Sequence, residues 1–262
     1  MKAEEEPNKF RLPGPEELAP LKSFDPAIFL SDDKPIQDVC NFVLSLAVAY
    51  NDLKDLLWVL HFLRRARPDK NELITRYRGE YSGFVNHAAK LLLSTFNELV
   101  QLLEENQPLF AHDLFQKCVK QLPKEARVCW NGLVAVATGK EVEHKFMRRV
   151  FHTVRNKVSF HYADLKAINS GFRLRFTDQI RSVKDKTPYA SLGKSAMESR
   201  FYFADALVES YVNHQIGEDS VIEFAGKMSD LTEQINFALR FLVDRFVSAR
   251  NGAFREESEK YS

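Results

Sequence analysis

Paired cysteines are missing from this sequence. Cys40, Cys118 and Cys129 are odd in number, far apart and without a C-x-x-C spacing, which excludes a disulfide scaffold and leaves no cysteine pattern for zinc. Long hydrophobic runs are missing too. The longest, Phe42–Tyr50, stops at Asn51 and Asp52, far short of the ~20 residues that span a bilayer. The first ten residues, MKAEEEPNKF, are acidic and carry no hydrophobic region, so they do not read as a secretory signal. Glycine and proline number only 10 each, which excludes a collagen-like, elastic or wholly disordered chain. What remains is 262 residues, 45% apolar and 28% charged, enough for one large domain or a core with an accessory piece. The expectation is a soluble, cytoplasmic protein with no membrane contact.

The prolines divide the chain. Pro7, Pro13, Pro15, Pro20, Pro26 and Pro35 crowd the start, and a segment so broken cannot propagate a helix. Residues 1–34 therefore read as a proline-rich N-terminal arm, 35–250 as a single all-helical domain, and 251–262 as a polar C-terminal tail. Pro68, Pro108, Pro123 and Pro188 then punctuate long proline-free stretches with helical periodicity. Asp32 or Asp33 caps a first helix running towards Arg67, with Ile36, Val39, Cys40, Val43, Ala47 and Tyr50 on one stripe. A second, from about 69 to 106, is expected to bury Leu73, Tyr77, Phe84, Ala88, Leu91 and Leu102. Shorter pieces follow near 109–121 and 124–137, then a long helix over about 141–169 with Gly171 as its C-cap. Helices over about 195–215 and 219–250 close the chain. The last shows Val221, Ala225, Met228, Ile235, Leu239, Leu242 and Phe246 on one side. Only Phe172–Phe176 alternates like a strand, and one such run makes no sheet. The fold class is all-α: an up-and-down bundle of four to five long helices with short accessory helices.

Several apparent sites dissolve on inspection. Gly193-Lys194-Ser195 ends like a phosphate-binding loop, but Pro188 stands where that loop needs a glycine and no strand precedes it. Ser195 and Glu198 read better as a helix capping box. Glu141-x-x-His144 has the spacing of a di-iron ligand pair, but no second copy exists. His61, His87, His112 and His214 are isolated and read as core or surface histidines. Neither a metal nor a cofactor is expected.

Charge is more informative locally. From Lys145 to Lys186 the net charge is +8 over 42 residues, against +1 for the whole chain. Such a segment suits an anionic partner, or a solvated face that balances acidic helices elsewhere. Within it, Arg155-Asn156-Lys157-Val158-Ser159-Phe160-His161 has the form R-N-x4-H, followed by Tyr162. This resembles the motif of the HEPN superfamily, small all-α proteins, in the flavour found among abortive-infection members. The resemblance implies metal-independent cleavage of single-stranded RNA by Arg155 and His161, with Asn156 as the polar accessory. It further implies a homodimer that pairs two motif helices, and a defence or toxin–antitoxin setting with a cognate antitoxin or other protein partner.

The residues themselves bear on this chemistry. On an ideal helix Met147, Val150, Phe151, Val154, Val158, His161, Leu165 and Ile168 fall within about 60° of one line. His161 thus sits on the apolar stripe, either as a core histidine bonded to a carbonyl or hydroxyl, or at a helix or subunit seam that tunes its pKa. Arg155 lies about 120° away, beside Arg148, His152, Ser159, Tyr162 and Lys166. One straight helix does not focus both groups on one atom, whereas two helices across a dimer do. Lys145, Arg148, Arg149, Lys157 and Lys166 would draw the RNA backbone through a salt-dependent term, and Tyr162 could stack an unpaired base. The competing reading is a non-catalytic helical interaction or RNA-binding module, in which His161 has no special role.

Overall fold

The computed structural model describes residue 19 and residues 22–68, 75–139, 148–149, 151–152, 165–177, 189–195, 198–217 and 221–256. Among these the fold is all-α, as expected. Seven α-helices occur: α1 (Lys34–Arg65), α2 (Arg76–Glu105), α3 (Asp113–Lys120), α4 (Lys124–Thr138), α5 (Leu165–Phe172), α6 (Tyr202–Ile216) and α7 (Val221–Ala249). Two-residue strands, β1 (Lys22–Ser23) and β2 (Arg255–Glu256), pair antiparallel and form the only sheet among the described residues. No described helix is long and apolar enough to cross a membrane.

The chain gathers into two compact units, each built from segments distant in sequence. The first comprises Met1–Asn51, Glu105–Asn131 and Gln234–Ser262, the second Asp52–Glu104 and Gly132–Glu233.

In the first unit the expected stripe of α1 is buried at Val39, Cys40 and Val43. Its N-terminus is capped as the sequence indicates, by Asp33 Oδ1 accepting from the Ile36 amide at 3.2 Å. An aromatic cluster fills the centre. The ring of Phe115, almost wholly buried, lies 5.5 Å from Phe42 and 5.6 Å from Trp130 between centroids, distances at which tilted aromatic pairs attract beyond their burial. Ile235, Leu239, Leu242 and Phe246 of α7 are also buried, on the predicted stripe. The end of the N-terminal arm belongs to this unit. Asp25 caps a 3-10 turn at Pro26–Phe29, which buries Ile28 and stacks Phe29 on Phe246 at 5.2 Å. Arg250 then donates to the carbonyls of Ile28 and Leu30, both at 3.0 Å. Two apolar side chains of the arm, Ile28 and Phe29, and the carbonyls of Ile28 and Leu30 thus find partners within this unit.

In the second unit α2 buries Tyr81, Val85, Ala88, Leu92, Phe96, Leu99 and Leu103. This face is rotated by roughly a quarter turn from the expected one. Tyr77 and Phe84 are exposed, Leu91 and Leu102 half-buried, and only Ala88 of the expected stripe within the described residues is fully buried. The buried face carries its own aromatics, Tyr81 and Phe96, among the aliphatic Val85, Leu92, Leu99 and Leu103.

Three local expectations are corrected. Gly171 does not end a helix; it lies inside α5, where an added Cβ would stand 2.3 Å from the Leu207 carbonyl oxygen of α6. Its bare backbone is what lets α5 pack closely on α6. Phe172–Phe176 is no strand: Arg173–Thr177 continues α5 as a π-helical turn. Ser195 does not cap a long helix, since α6 begins at Tyr202. Ser195 and Glu198 instead close a turn, with Ser195 Oγ donating to Glu198 Oε1 at 3.1 Å, inside a bridge between Ser191 and Arg200.

Gly171→Ala separates two opposed effects. Helix propensity alone would stabilise α5 by about 1 kcal/mol, but overpacking against a backbone carbonyl costs about 1–3 kcal/mol. The second should win, so the thermal midpoint should fall by several degrees, at about 2–4 °C per kcal/mol for a chain of this size.

Candidate functional site

Of the residues expected to act on RNA, Arg155, Asn156, His161, Lys145, Lys157 and Tyr162 lie outside the described residues, as do Glu141 and His144. Arg148, Arg149 and Lys166 are described. Arg148, Arg149, Phe151 and His152 are helical, and Phe151 anchors them. Its ring is buried and stacked on Phe96 of α2 at 5.5 Å, with 16° between planes. The next residue, His152, is exposed, so the expected division of this segment into an apolar and a polar side holds where it is described.

Opposite this turn α2 presents Asn97, Val100, Gln101 and Glu104, the i, i+3, i+4 and i+7 positions of one face. With Arg148, Arg149 and His152 they enclose a cavity of about 300 Å3. Arg148 forms an ion pair with Glu104, both side chains half-exposed. Part of the expected basic charge is therefore balanced inside the fold, and Arg148 offers RNA less than a solvated arginine would. Arg149 is exposed on the cavity rim and Lys166 is exposed on α5. The amides of Asn97 and Gln101 add groups that both donate and accept.

A second cluster escaped the sequence reading. Arg200 sits between two carboxylates, its Nη1 donating to Glu80 Oε2 at 2.9 Å and its Nε to Asp205 Oδ2 at 2.8 Å. Its guanidinium also covers the Phe84 ring, 5.7 Å from the centroid. The room for it comes from Gly83, where an added Cβ would fall 1.7 Å from Arg200 Nη2. Gly79, one turn earlier, leaves space for the Tyr202 ring in the same way, with a Cβ placed 2.5 Å from Cδ1. Tyr202 Oη in turn shares a hydrogen bond with Ser191 Oγ at 3.1 Å. The signal was present in the sequence: two glycines four apart inside a 30-residue helix, each costing ~1 kcal/mol against alanine, mark a face that something approaches closely.

The electrostatics of this cluster follow from burial and from its neighbours. Burial opposes the charge on Arg200, but Asp205 and Glu80 more than offset it and hold the guanidinium above its ordinary pKa. Burial pushes Lys90 down, against the pull of Asp205. His87 is pushed down by burial and then by Lys90 and Arg200, again against Asp205. Glu209, on α6, is pushed up by burial, with Arg175 opposing, Asp205 adding to the rise and Arg78 opposing.

The other histidines are accounted for locally. His61 is not isolated, since its Nε2 lies 3.0 Å from Glu233 Oε1. His112 caps α3, Nδ1 accepting from the Leu114 amide at 3.2 Å. Among the described residues no three His, Cys, Asp or Glu side chains converge as metal ligands would. No protein-family model, curated protein or solved structure matches this chain.

Glu209 yields a signed prediction. Its folded pKa lies above the ordinary 4.5, so the folded chain keeps this proton longer than the unfolded one does. The stability so contributed is complete below 4.5 and is lost as pH rises through the folded value. Glu209→Gln should therefore raise the thermal midpoint at neutral pH and leave it unchanged in acid below the ordinary carboxylate value. A midpoint lowered at neutral pH and unchanged in acid would show that Glu209 is held by its arginine neighbours instead.

Proposed function

We propose that this protein is a metal-independent ribonuclease that cuts single-stranded RNA, acting as a homodimer in a toxin or abortive-infection setting under the control of a cognate protein partner. The observation that carries this reading is the Arg155-Asn156-x4-His161 spacing on a segment of net charge +8 in an all-α chain. The cavity beside Arg149 and His152, within six residues of Arg155 in the sequence, supports it with cationic and amide groups of the kind that hold an RNA backbone.

In the proposed reaction the 2′-hydroxyl attacks the adjacent phosphorus. The O2′–P bond forms, the P–O5′ bond breaks, and a 2′,3′-cyclic phosphate and a free 5′-hydroxyl result. One histidine accepts the 2′-hydroxyl proton and another delivers a proton to the leaving O5′, which two copies of His161 across a dimer would supply. Arg155 holds the phosphoryl oxygens while negative charge builds on them. Asn156 positions the pair, Lys145, Arg149, Lys157 and Lys166 attract the strand, and Tyr162 stacks a base.

The dimer is expected to show in sedimentation at micromolar concentration, and Val154→Asp or Val158→Asp should dissociate or unfold it by burying an unpaired charge. A strict monomer would remove the second histidine and with it the mechanism. With EDTA present, the purified protein should cut single-stranded RNA and leave DNA intact, because DNA lacks the attacking hydroxyl. Arg155→Ala and His161→Ala should each slow cleavage by roughly 10²–10⁴-fold while helical content is kept. Lys157→Ala should cost far less and mainly change the salt dependence. Binding of RNA without cleavage, unaffected by His161→Ala, would replace the enzyme with a non-catalytic RNA-binding module.

A further inference from the structure

The second unit holds another cavity, of about 220 Å3, lined by residues of α2, of α6 and of the segment that leads into α6. Its α2 wall is the Gly83, Asn86, His87, Lys90 face, again at i, i+3, i+4 and i+7. Arg200 and Asp205 form the facing wall, and Phe84 stands at the edge with 57% of its surface exposed. We propose that this cavity binds the phosphorylated end of a nucleotide, with Lys90 and His87 on the phosphoryl oxygens and the Phe84 ring against the base.

Charge selects the anion. Three basic side chains, His87, Lys90 and Arg200, face the space together with Asp205, and Glu80 lies behind Arg200. Arg200 is committed to both carboxylates and forms a rigid wall, but its field still reaches its neighbours. After burial, Lys90 and Arg200 are what hold His87 below its ordinary pKa of 6.5, and Asp205 does not cancel them. Glu209, the next carboxylate on α6, is itself driven towards its neutral form by burial. Asp205 and Glu80 both accept from Arg200, and Lys90 and His87 face the space from α2, so an anion against the α2 wall meets basic groups.

Size and the aromatic edge select the rest of the ligand. The space is smaller than the ~300–1,000 Å3 of sites that enclose a whole drug-sized molecule. It admits a phosphate and a sugar and leaves a base at the rim, where Phe84 is open and backed by a guanidinium. An exposed ring beside paired cations is the arrangement by which proteins hold single nucleotides without reading their sequence. Asn86, almost wholly buried, gives its Nδ2 to the Asp205 carbonyl at 3.4 Å, which fixes the floor of the site. The same chemistry fits a free mononucleotide or the 5′-phosphate end of an RNA strand. The proposal does not depend on the ribonuclease reading.

Calorimetric titration of the full-length protein at low salt tests it. AMP should bind at one site per chain, adenosine about 10-fold more weakly or worse, and inorganic sulfate should compete with AMP. Sulfate keeps the same charge across the range, so its affinity should rise as the pH falls below 6.5, where His87 gains a proton, and His87→Gln should abolish that rise. Lys90→Met should weaken AMP about 10-fold, while Phe84→Ala should weaken AMP and spare sulfate. Arg155→Ala should bind AMP as the parent does, which separates this site from the proposed catalytic one. A 5′-phosphorylated oligoribonucleotide that binds more tightly than AMP, with the same dependence on Lys90, identifies a strand end as the source; equal or weaker binding identifies the free nucleotide. Circular dichroism and thermal melting check that each variant is folded. The proposal is overturned if AMP does not bind at millimolar concentration, if adenosine binds as well as AMP, or if folded Lys90→Met and His87→Gln proteins bind AMP undiminished.

Discussion

In the second unit, helix α2 is approached closely by the segment leading into α6 because positions 79 and 83 carry no side chain. Tyr202 and Arg200 occupy the space that two Cβ atoms would otherwise fill. Once Arg200 is there its charge must be answered, since an unpaired guanidinium removed from water is strongly destabilising. Glu80 comes from the same helix as the glycines and Asp205 from the first turn of α6, so one cation ties two helices and the intervening turn. The facing wall of the neighbouring cavity descends from that placement, and Arg200 adds to the lowering of the His87 pKa by burial and Lys90. Two glycines inside a helix cost about 2 kcal/mol in propensity, which the ion pairs and the burial of Tyr202 offset.

The first unit solves the same packing problem with different material. Its centre is aromatic, with Phe115 against both Phe42 and Trp130 and Phe29 stacked on Phe246. Dispersion and area burial dominate there, and both are tolerant of direction. Polar side chains there also satisfy backbone, as when Arg250 reaches the carbonyls of Ile28 and Leu30. An aromatic cluster can be recognised from composition and periodicity. A lone arginine between carboxylates cannot.

The charge distribution gains meaning from these pairings. A segment of +8 in a chain of +1 requires acidic residues elsewhere, and the fold shows how one of them is used. Arg148 meets Glu104, so the basic segment is partly a face that balances an acidic helix. Arg149 and Lys166 remain exposed at its surface. Of the two readings of that segment, Arg148 realises the face that balances an acidic helix.

Local sequence determined the elements whose physics is local. Asp33 caps α1 because a carboxylate before a first-turn proline has an amide to accept, and α7 buries Met228, Ile235, Leu239, Leu242 and Phe246 because a sustained 3.6-residue period has one face. The all-α class follows from the same periodicity. Tertiary structure decided what depends on who comes near. The phase of α2 turned away from Tyr77 and Phe84 because the face with Tyr81, Val85, Leu92, Phe96, Leu99 and Leu103 is the one its neighbours cover. Gly171 became a point of helix contact and not a helix end because the Leu207 carbonyl approaches it. The R-N-x4-H motif was legible as spacing, since spacing is a property of the chain. The cavity formed by His87, Lys90, Arg200 and Asp205 was not, because 113 positions separate His87 from Arg200 and only the missing side chain at Gly83 brings their helices together.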